Sequence, residues 1–206
     1  MMYNKTMIDV ISVDDHEIIS QGLISIFSET DDICVRHFCK TKDELVCLLD
    51  SKSPDELAHT LAMIDIKLEK ESGFDCADFL VERGVKCLMY SSFSNAGFIF
   101  KAMEHKIKGF LSKNAEKAEI LEAIRAVVNG ETYIQKDLIP DMMYVSGILV
   151  TLTKKERDIL DLLGEHLSNE AIAQHLDLSK RTVENYISRI FDKFNVKNRY
   201  ELEQFL

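Results

Sequence analysis

Polar side chains that could share one chemical site follow four apolar runs in the amino-terminal two thirds of the chain. They are Asp14 and Asp15 after the first run, Asp65, Ser91 and Lys113. Three carboxylates close together need a counterion, and Mg²⁺ is a hard cation that prefers oxygen ligands. A lysine opposite the cation would suit a phosphoryl group, which a carboxylate can accept covalently as an aspartyl phosphate. These residue types predict magnesium-dependent phosphoryl transfer.

The apolar runs read as strands that alternate with helical patterns. Five strands are predicted, at 7–13, 33–38, 61–64, 86–90 and 109–111. Strands that alternate with helices predict an α/β fold in which a parallel sheet is wound on both faces by helices. The functional crevice of such a sheet lies at the carboxyl ends of its strands. All five polar residues are expected there.

Each of these residues also has an ordinary explanation. Asp14 or Asp15 could cap the first helix, Asp65 could belong to a turn, and the others could be a strand end and a surface lysine. Their joint occurrence at successive strand ends favours the functional interpretation. A phosphohydrolase remains an alternative, because clustered carboxylates with Mg²⁺ also serve hydrolysis, but no second acid–base group or substrate pocket is evident.

The last quarter of the chain has the pattern of a helix-turn-helix, which places one helix in the major groove of DNA. Thr153 and Glu156 form a capping box for its first helix, and Ser179 is a good N-cap for the helix after the turn. The helix that Ser179 caps has apolar residues at steps of three and four, which form one face. A final helix is predicted over 200–206. The apolar face comprises Val183, Ile187, Ile190, Phe191 and Phe194.

Composition limits the possible classes of protein. The net charge is −10, but residues 1–147 carry 16 basic and 25 acidic side chains, whereas residues 180–199 carry six basic and two acidic ones. That local excess suits a phosphate backbone. The five cysteines have no metal-ligand spacing, so a zinc site is not expected. No apolar run is long enough to span a membrane, and the first residues lack a signal-peptide layout, so a cytoplasmic protein is expected.

Residues 6–130 resemble the receiver domain of two-component response regulators, a flavodoxin-like fold. The resemblance rests on Asp14-Asp15-His16, the run from Asp65 to Gly73, Ser91-Ser92, Gly109-Phe110 and Lys113. It implies phosphorylation of Asp65 by a sensor histidine kinase. It also implies that Mg²⁺ is held by Asp14, Asp15, Asp65 and the backbone carbonyl of Lys67, that Lys113 pairs with the phosphoryl group, that Ser91 turns toward it, and that Phe110 swings inward as a switch.

Residues 150–206 resemble the LuxR-type DNA-binding domain, a small all-α four-helix module, through Leu152-Thr153, Leu167-Ser168-Asn169, Thr182-Val183 and Arg199. Residues 131–149 are then a linker, which we expect to be helical at its start. The whole chain resembles the NarL/FixJ class, which implies a homodimer on promoter half-sites. The predicted DNA contacts are Lys180, Arg181, Thr182, Glu184, Asn185, Ser188, Arg189, Lys193 and Lys197.

The chain departs from both families at several positions. Glu69 stands where receivers usually have proline, Asn114 follows the lysine, and residues 51–60 read as a short insertion. Glu184 and Tyr186 replace the usual lysine and histidine of the LuxR-type helix. These changes leave open an unconventional receiver that regulates DNA or protein binding without phosphorylation, and they leave the DNA target undetermined.

Overall fold

The structure, a computed structural model, describes residues 7–203 and 205–206. Thr6, the predicted start of the receiver domain, and Gln204, within the predicted last helix, lie outside the described residues. The chain divides into two compact units. The first comprises the described residues up to Ser94 together with Lys101–Asp137, and the second comprises Asn95–Phe100 and Leu138–Leu206.

A parallel sheet forms the centre of the first unit. It has six strands in the order β2-β1-β3-β4-β5-β6, so the prediction of a wound parallel sheet is confirmed and the predicted count of five is wrong. The additional strand has only two residues, too few to show an apolar period in the sequence. The strands are β1 Ile8–Val13, β2 Ile33–Cys39, β3 Thr60–Ile64, β4 Lys86–Ser91, β5 Gly109–Ser112 and β6 Tyr133–Ile134.

Among the described residues, five helices belong to the first unit, and a sixth, α5, is divided between the two units. They are α1 Glu17–Phe27, α2 Lys42–Asp50, α3 Pro54–Ala58, α4 Gly73–Val81, α5 Ala96–Glu104 and α6 Lys117–Val128. One buried cluster joins β1, β3 and β4 to α1 and α6 through Val10, Leu23, Leu61, Leu88 and Ile124, each at most 1% exposed. The predicted insertion contains α3, which begins at a capping box formed by Ser53 and Glu56.

The predicted linker is more ordered than the sequence indicates. Its start forms β6 rather than a helix, followed by a 3-10 turn at Lys136–Leu138 and by α7 Ile139–Leu149. The expectation of a helical start is therefore wrong. Tyr133, in β6, belongs to the buried cluster of the first unit and is 9% exposed. Burial of this aromatic side chain favours a strand over a helix at the start of the linker.

The second unit is helical. Beyond α7 it contains α8 Lys154–Gly164, α9 Asn169–His175, α10 Lys180–Phe194 and α11 Arg199–Leu202. Its core includes Ile159, Ile172, Val183, Ile190 and Leu202, all fully buried. The last helix ends at Leu202, earlier than predicted, and the Phe205 N–H donates to the Leu202 carbonyl over 2.9 Å. Among the described residues, no helix combines the length and apolar character that a membrane crossing requires.

Candidate functional site

Asp65, Ser91 and Lys113 meet at the carboxyl edge of the sheet. Asp65 directly follows β3, and Ser91 ends β4, so their neighbouring parallel strands deliver both side chains to the same edge. The Ser91 hydroxyl donates to Asp65 Oδ1 over 2.5 Å, and Lys113 Nζ donates to Asp65 Oδ2 over 2.6 Å. Asp65 is 5% exposed and Ser91 fully buried. The carboxylate is thus held from both sides in a desolvated position.

Asp14 and Asp15 join this site from the end of β1. Lys113 Nζ lies 2.6 Å from Asp14 Oδ2, so one ammonium bridges Asp14 and Asp65. Burial disfavours the charged lysine, but its hydrogen bonds to the two carboxylates outweigh burial and raise the pKa of Lys113 above its ordinary value. Lys113 therefore stays protonated at neutral pH.

His16 belongs to the same cluster, although the sequence analysis gives it no role. Its Nδ1 lies 2.7 Å from Asp15 Oδ1 and 3.1 Å from Asp14 Oδ1. Its backbone N–H donates to Asp14 Oδ1 over 2.8 Å, and this bond fixes the start of α1. Only its position directly after two aspartates could have indicated this, since a single histidine carries no spacing pattern.

The donor set fits a divalent cation. Asp14, Asp15, His16 and Asp65 each offer a ligand atom within 4.8 Å of the others. Asp15 Oδ1 is a buried oxygen that accepts no hydrogen bond, although His16 Nδ1 lies 2.7 Å from it. A buried carboxylate oxygen without a donor is unfavourable, and a cation would satisfy it. Three acids face one lysine here, which leaves a local surplus of negative charge.

Backbone contacts between its two ends hold the loop after Asp65, residues 66–73, in a compact turn. Lys67 pairs with Ser72 in an isolated bridge, and the Gly73 N–H donates to the Ile66 carbonyl over 2.8 Å. A Cβ at Gly73 would lie 1.8 Å from the Asp65 carbonyl oxygen, so no other residue fits. The Glu71 carboxylate accepts the Lys42 N–H at the start of α2. This closure fixes the backbone of the residue whose carbonyl we predict to be a metal ligand, Lys67.

The two predicted switch residues lie on the strands that flank the site. Ser91 already points at Asp65, and its hydroxyl accepts the Phe93 N–H over 3.3 Å. Phe110 is on β5 and only 1% exposed, so its ring is inside in this structure. Lys67 extends over the Phe93 ring, with Nζ 4.1 Å from the centroid.

A polar surface on α10 forms the second candidate site. Ser179 caps the helix by accepting the Thr182 N–H over 3.1 Å, so Thr182 is committed to the cap and only partly exposed. Lys180 forms an ion pair with Glu170 and lies 3.9 Å from Glu184. The exposed predicted contacts are Lys180, Arg181, Glu184, Asn185, Ser188, Arg189 and Lys197.

Lys193 differs from these residues because its ammonium is bound within the unit. It donates to the Thr151 carbonyl and to Glu156 Oε2, both over 2.8 Å. Glu156 is 3% exposed and also accepts the Thr153 N–H and hydroxyl, each over 2.8 Å. The hydrogen bond from Lys193, followed by that from Thr153, lowers the pKa of Glu156 to about 2. This network fastens α10 to the start of α8.

Comparisons with known proteins identify two families in the chain. Residues 10–125 match the family described as "Response regulator receiver domain", and residues 150–206 match "Bacterial regulatory proteins, luxR family". The chain is a two-component response regulator. Its carboxyl-terminal part is a LuxR-type DNA-binding domain, and the protein is a transcription regulator rather than a conventional enzyme.

Several known proteins align with this regulator over nearly its whole length. It is 29% identical to the transcriptional regulatory protein DesR of Bacillus subtilis (strain 168), with 95% of this chain and 94% of DesR covered. It is 25% identical to the nitrate/nitrite response regulator protein NarL of Escherichia coli (strain K12), with 97% and 95% covered. The structure of RcsB from Salmonella enterica serovar Typhimurium bound to a promoter with phosphomimetic BeF₃⁻ has a TM-score of 0.72 at 17% identity, with 96% and 97% covered.

Proposed function

We propose that this regulator receives a phosphoryl group on Asp65 and responds by changing how α10 engages DNA. The donor is the phosphohistidine of a cognate sensor kinase. An Asp65 carboxylate oxygen attacks the phosphorus, the new O–P bond forms, and the N–P bond of the donor breaks. The electron pair of that bond returns to the imidazole, which then takes up a proton. The receiver comprises residues 6–130, the linker 131–149 and the DNA-binding domain 150–206.

Mg²⁺ fits this site through Asp14, Asp15, Asp65 and the backbone carbonyl of Lys67. When bound, it offsets the negative charge of the carboxylates and of the incoming phosphoryl oxygens. Lys113 already stands 2.6 Å from Asp65 Oδ2 and supplies a second positive charge to the transferred group. The Asp15 oxygen that lacks a hydrogen bond supports this assignment.

Ser91 reports the modification to the rest of the receiver, and Phe110 keeps the buried position that it already has in this structure. A phosphoryl group adds roughly −2 charge with strong acceptor oxygens. Ser91 then donates to a phosphoryl oxygen instead of to Asp65, and the β4–α5 loop moves with it, since the Phe93 N–H is bonded to the Ser91 hydroxyl. The signal is reversed when water hydrolyses the phosphoryl group, a reaction the regulator performs only on its own Asp65.

Two copies of the regulator bind promoter half-sites about one helical turn apart. The backbone of DNA meets Lys180, Arg181, Arg189 and Lys197, while Glu184, Asn185 and Ser188 face base edges. Thr182 contributes through the cap of α10. The promoter-bound RcsB structure is the analogy for this arrangement. We place the regulator in the cytoplasm with its DNA.

One observation carries the proposal: Lys113 Nζ bridges Asp14 and Asp65 while Ser91 bonds the other Asp65 oxygen. DNA affinity with and without BeF₃⁻ and Mg²⁺ tests the function. The wild type should change its affinity on addition of both, and Asp65→Ala should not. Asp31→Ala, an exposed acid on the same unit, is the control and should respond like the wild type. An equal response of Asp65→Ala and the wild type would contradict the proposal.

A further inference from the structure

The short strand β6 brings a buried polar side chain to the end of β5. Gln135 follows β6 and is 5% exposed, which is unusual for a residue just outside the predicted receiver. We propose that Gln135 is a positioning residue for the phosphorylation site, and that through it the segment 133–137 senses the state of Lys113. The inference rests on the proposed function and adds a residue that acts through the lysine.

Gln135 completes the pairing of β6 with β5. The Tyr133 N–H donates to the Lys108 carbonyl over 2.8 Å, and the Gln135 N–H donates to the Phe110 carbonyl over 3.1 Å. The Ser112 N–H, where the next rung of a parallel ladder would fall, instead donates to the Gln135 side chain Oε1 over 2.8 Å. The side chain therefore satisfies a buried donor that would otherwise have no partner in this strand pair.

This hydrogen bond lies between the two predicted functional residues of β5. Ser112 lies two residues after Phe110 and directly before Lys113. The position of its backbone therefore influences the direction of both side chains. On the other side the Lys113 N–H donates to the Ser91 carbonyl over 2.9 Å. The end of β5 is thus held by β4, which carries Ser91, and by Gln135, which belongs to the chain leading out of the receiver.

Because the end of β5 is bonded to both β4 and Gln135, the phosphorylation site and Gln135 can affect each other. A positioning role means that the Ser112–Gln135 hydrogen bond is strongest when Lys113 pairs with a phosphoryl group, because the Ser112 peptide is bonded directly to that of Lys113. By linkage, a bond that is stronger in the phosphoryl-bound state raises the affinity for the phosphoryl group, so its loss lowers that affinity. Gln135 Nε2 lies 3.4 Å from Asp137 Oδ2, so a shift of the side chain also reaches the 3-10 turn that follows.

The competing explanation is that Gln135 only closes the edge of the sheet. A purely structural role would lower the stability of the receiver without changing its affinity for a phosphoryl mimic. The variants Gln135→Met and Gln135→Glu separate the two, since methionine keeps the volume without an acceptor, whereas glutamate keeps the acceptor oxygen. Tyr133→Phe is the matched control on the same strand, because it removes only the hydroxyl that bonds Glu122.

The experiment titrates the full chain with BeF₃⁻ in the presence of Mg²⁺ and follows backbone amide NMR signals. The chain has no tryptophan to report by fluorescence. In the wild type the Ser112 and Gln135 amides, including the Gln135 side-chain amide, should shift together with that of Lys113. Gln135→Met should bind the mimic about threefold to fivefold more weakly, which corresponds to the part of one hydrogen bond to a buried N–H that differs between the free and the bound state. Tyr133→Phe should stay within about twofold of the wild type, and Gln135→Glu should bind the mimic more tightly than Gln135→Met, because it keeps the acceptor for the Ser112 N–H although its carboxylate faces Asp137.

The outcomes are distinct. If Lys113 responds but Ser112 and Gln135 do not, or if Gln135→Met binds the mimic as tightly as the wild type, the inference is overturned and the phosphorylation account stands. A destabilised Gln135→Met of unchanged affinity assigns Gln135 the purely structural role. If the wild type shows no response at Lys113, the proposed function fails, and the inference fails with it.

Discussion

The two units of this regulator each contain a lysine bound to buried acid, and the two arrangements differ in their charge balance. Lys113 faces Asp14 and Asp65, with Asp15 beside them, and one Asp15 oxygen has no donor. Lys193 faces Glu156 alone, and that carboxylate also receives two hydrogen bonds from Thr153. The first site has an excess of acceptors, whereas the second is complete.

The difference indicates what each site is for. A complete buried pair fixes a geometry, and removal of one partner leaves a charge without compensation. A site with surplus negative charge is unfavourable until a cation or a new cationic contact arrives, so it can respond to a ligand. The regulator thus has an adjustable charge cluster in its receiver and a fixed one that supports the DNA-binding helix.

The largest effect on stability is expected at the complete pair. Glu156→Gln should lower the free energy of unfolding of the helical unit by about 2–4 kcal/mol, because Lys193 loses its charged partner, whereas the glutamine amide oxygen can still accept the Thr153 N–H of the capping box. Urea unfolding followed by the amide signals of α8 and α10 measures it. The double variant Glu156→Gln with Lys193→Met should lose less than the sum of the single changes. A single change within about 0.5 kcal/mol of the wild type would show that the pair is not structural.

The pH dependence of the same pair follows from its acid. The pKa of Glu156 is lowered to about 2 in the folded protein, below its ordinary value near 4.5. A lowered folded-state pKa contributes stability that is present above about pH 4.5 and is lost as the pH falls toward 2. The contribution is on the order of 2 kcal/mol at neutral pH. The stability difference between wild type and Glu156→Gln should therefore narrow as the pH falls from 5 toward 2. A constant difference over that range would contradict the assignment.

In the receiver site, where acids outnumber Lys113, removal of one acid should stabilise the metal-free protein rather than destabilise it. Asp15→Asn should raise the free energy of unfolding of the metal-free receiver by about 1 kcal/mol, because it removes a negative charge that no cation balances. The same change should reduce the stabilisation that added Mg²⁺ provides, as expected for a ligand that binds only the folded state. Thermal unfolding with and without Mg²⁺ measures both, with Asp31→Asn as control. If Asp15→Asn destabilises the metal-free protein, the site is not under charge repulsion.

The smallest expected effect concerns the salt dependence of DNA binding. Arg181 is exposed, so Arg181→Ala should lower the slope of log affinity against log salt by about one. Lys193→Met should weaken DNA binding without changing that slope, because its ammonium is already paired with Glu156. Titration of DNA at several salt concentrations measures both slopes. An equal loss of slope in the two variants would place Lys193 on the phosphate backbone, as the sequence alone suggests.

The sequence predicts the positions that backbone geometry determines. Asp14, Asp65, Ser91 and Lys113 follow strands of a parallel sheet, and such strands end at one edge, so their meeting follows from the order of elements. Likewise, apolar spacing along α10 distinguishes Val183 and Ile190 from the exposed Arg181. These predictions depend on periodicity and connectivity, which a single sequence contains.

Other features depend on which partner the polar end of a flexible side chain contacts, and sequence patterns do not reveal that partner. Lys193 lies among exposed polar residues of α10, yet its long stem reaches Glu156, 37 positions earlier in the chain. His16 and Gln135 occupy sites through contacts that no spacing encodes, and β6 is too short to produce a period. The predicted helical start of the linker fails for that reason, because pairing with β5 outweighs local preference.

Covalent phosphorylation is the most direct test of the central claim, that three carboxylates and Lys113 form a cation-dependent phosphoryl acceptor. The full chain would be incubated with a small-molecule phosphoryl donor, and its intact mass measured with Mg²⁺ or with a chelator. We expect one alkali-labile phosphoryl group on the wild type with Mg²⁺, a loss of at least about 100-fold in rate with chelator, and none on Asp65→Asn. Phosphorylation of Asp65→Asn at the wild-type rate, or a wild-type rate indifferent to the chelator, would contradict it.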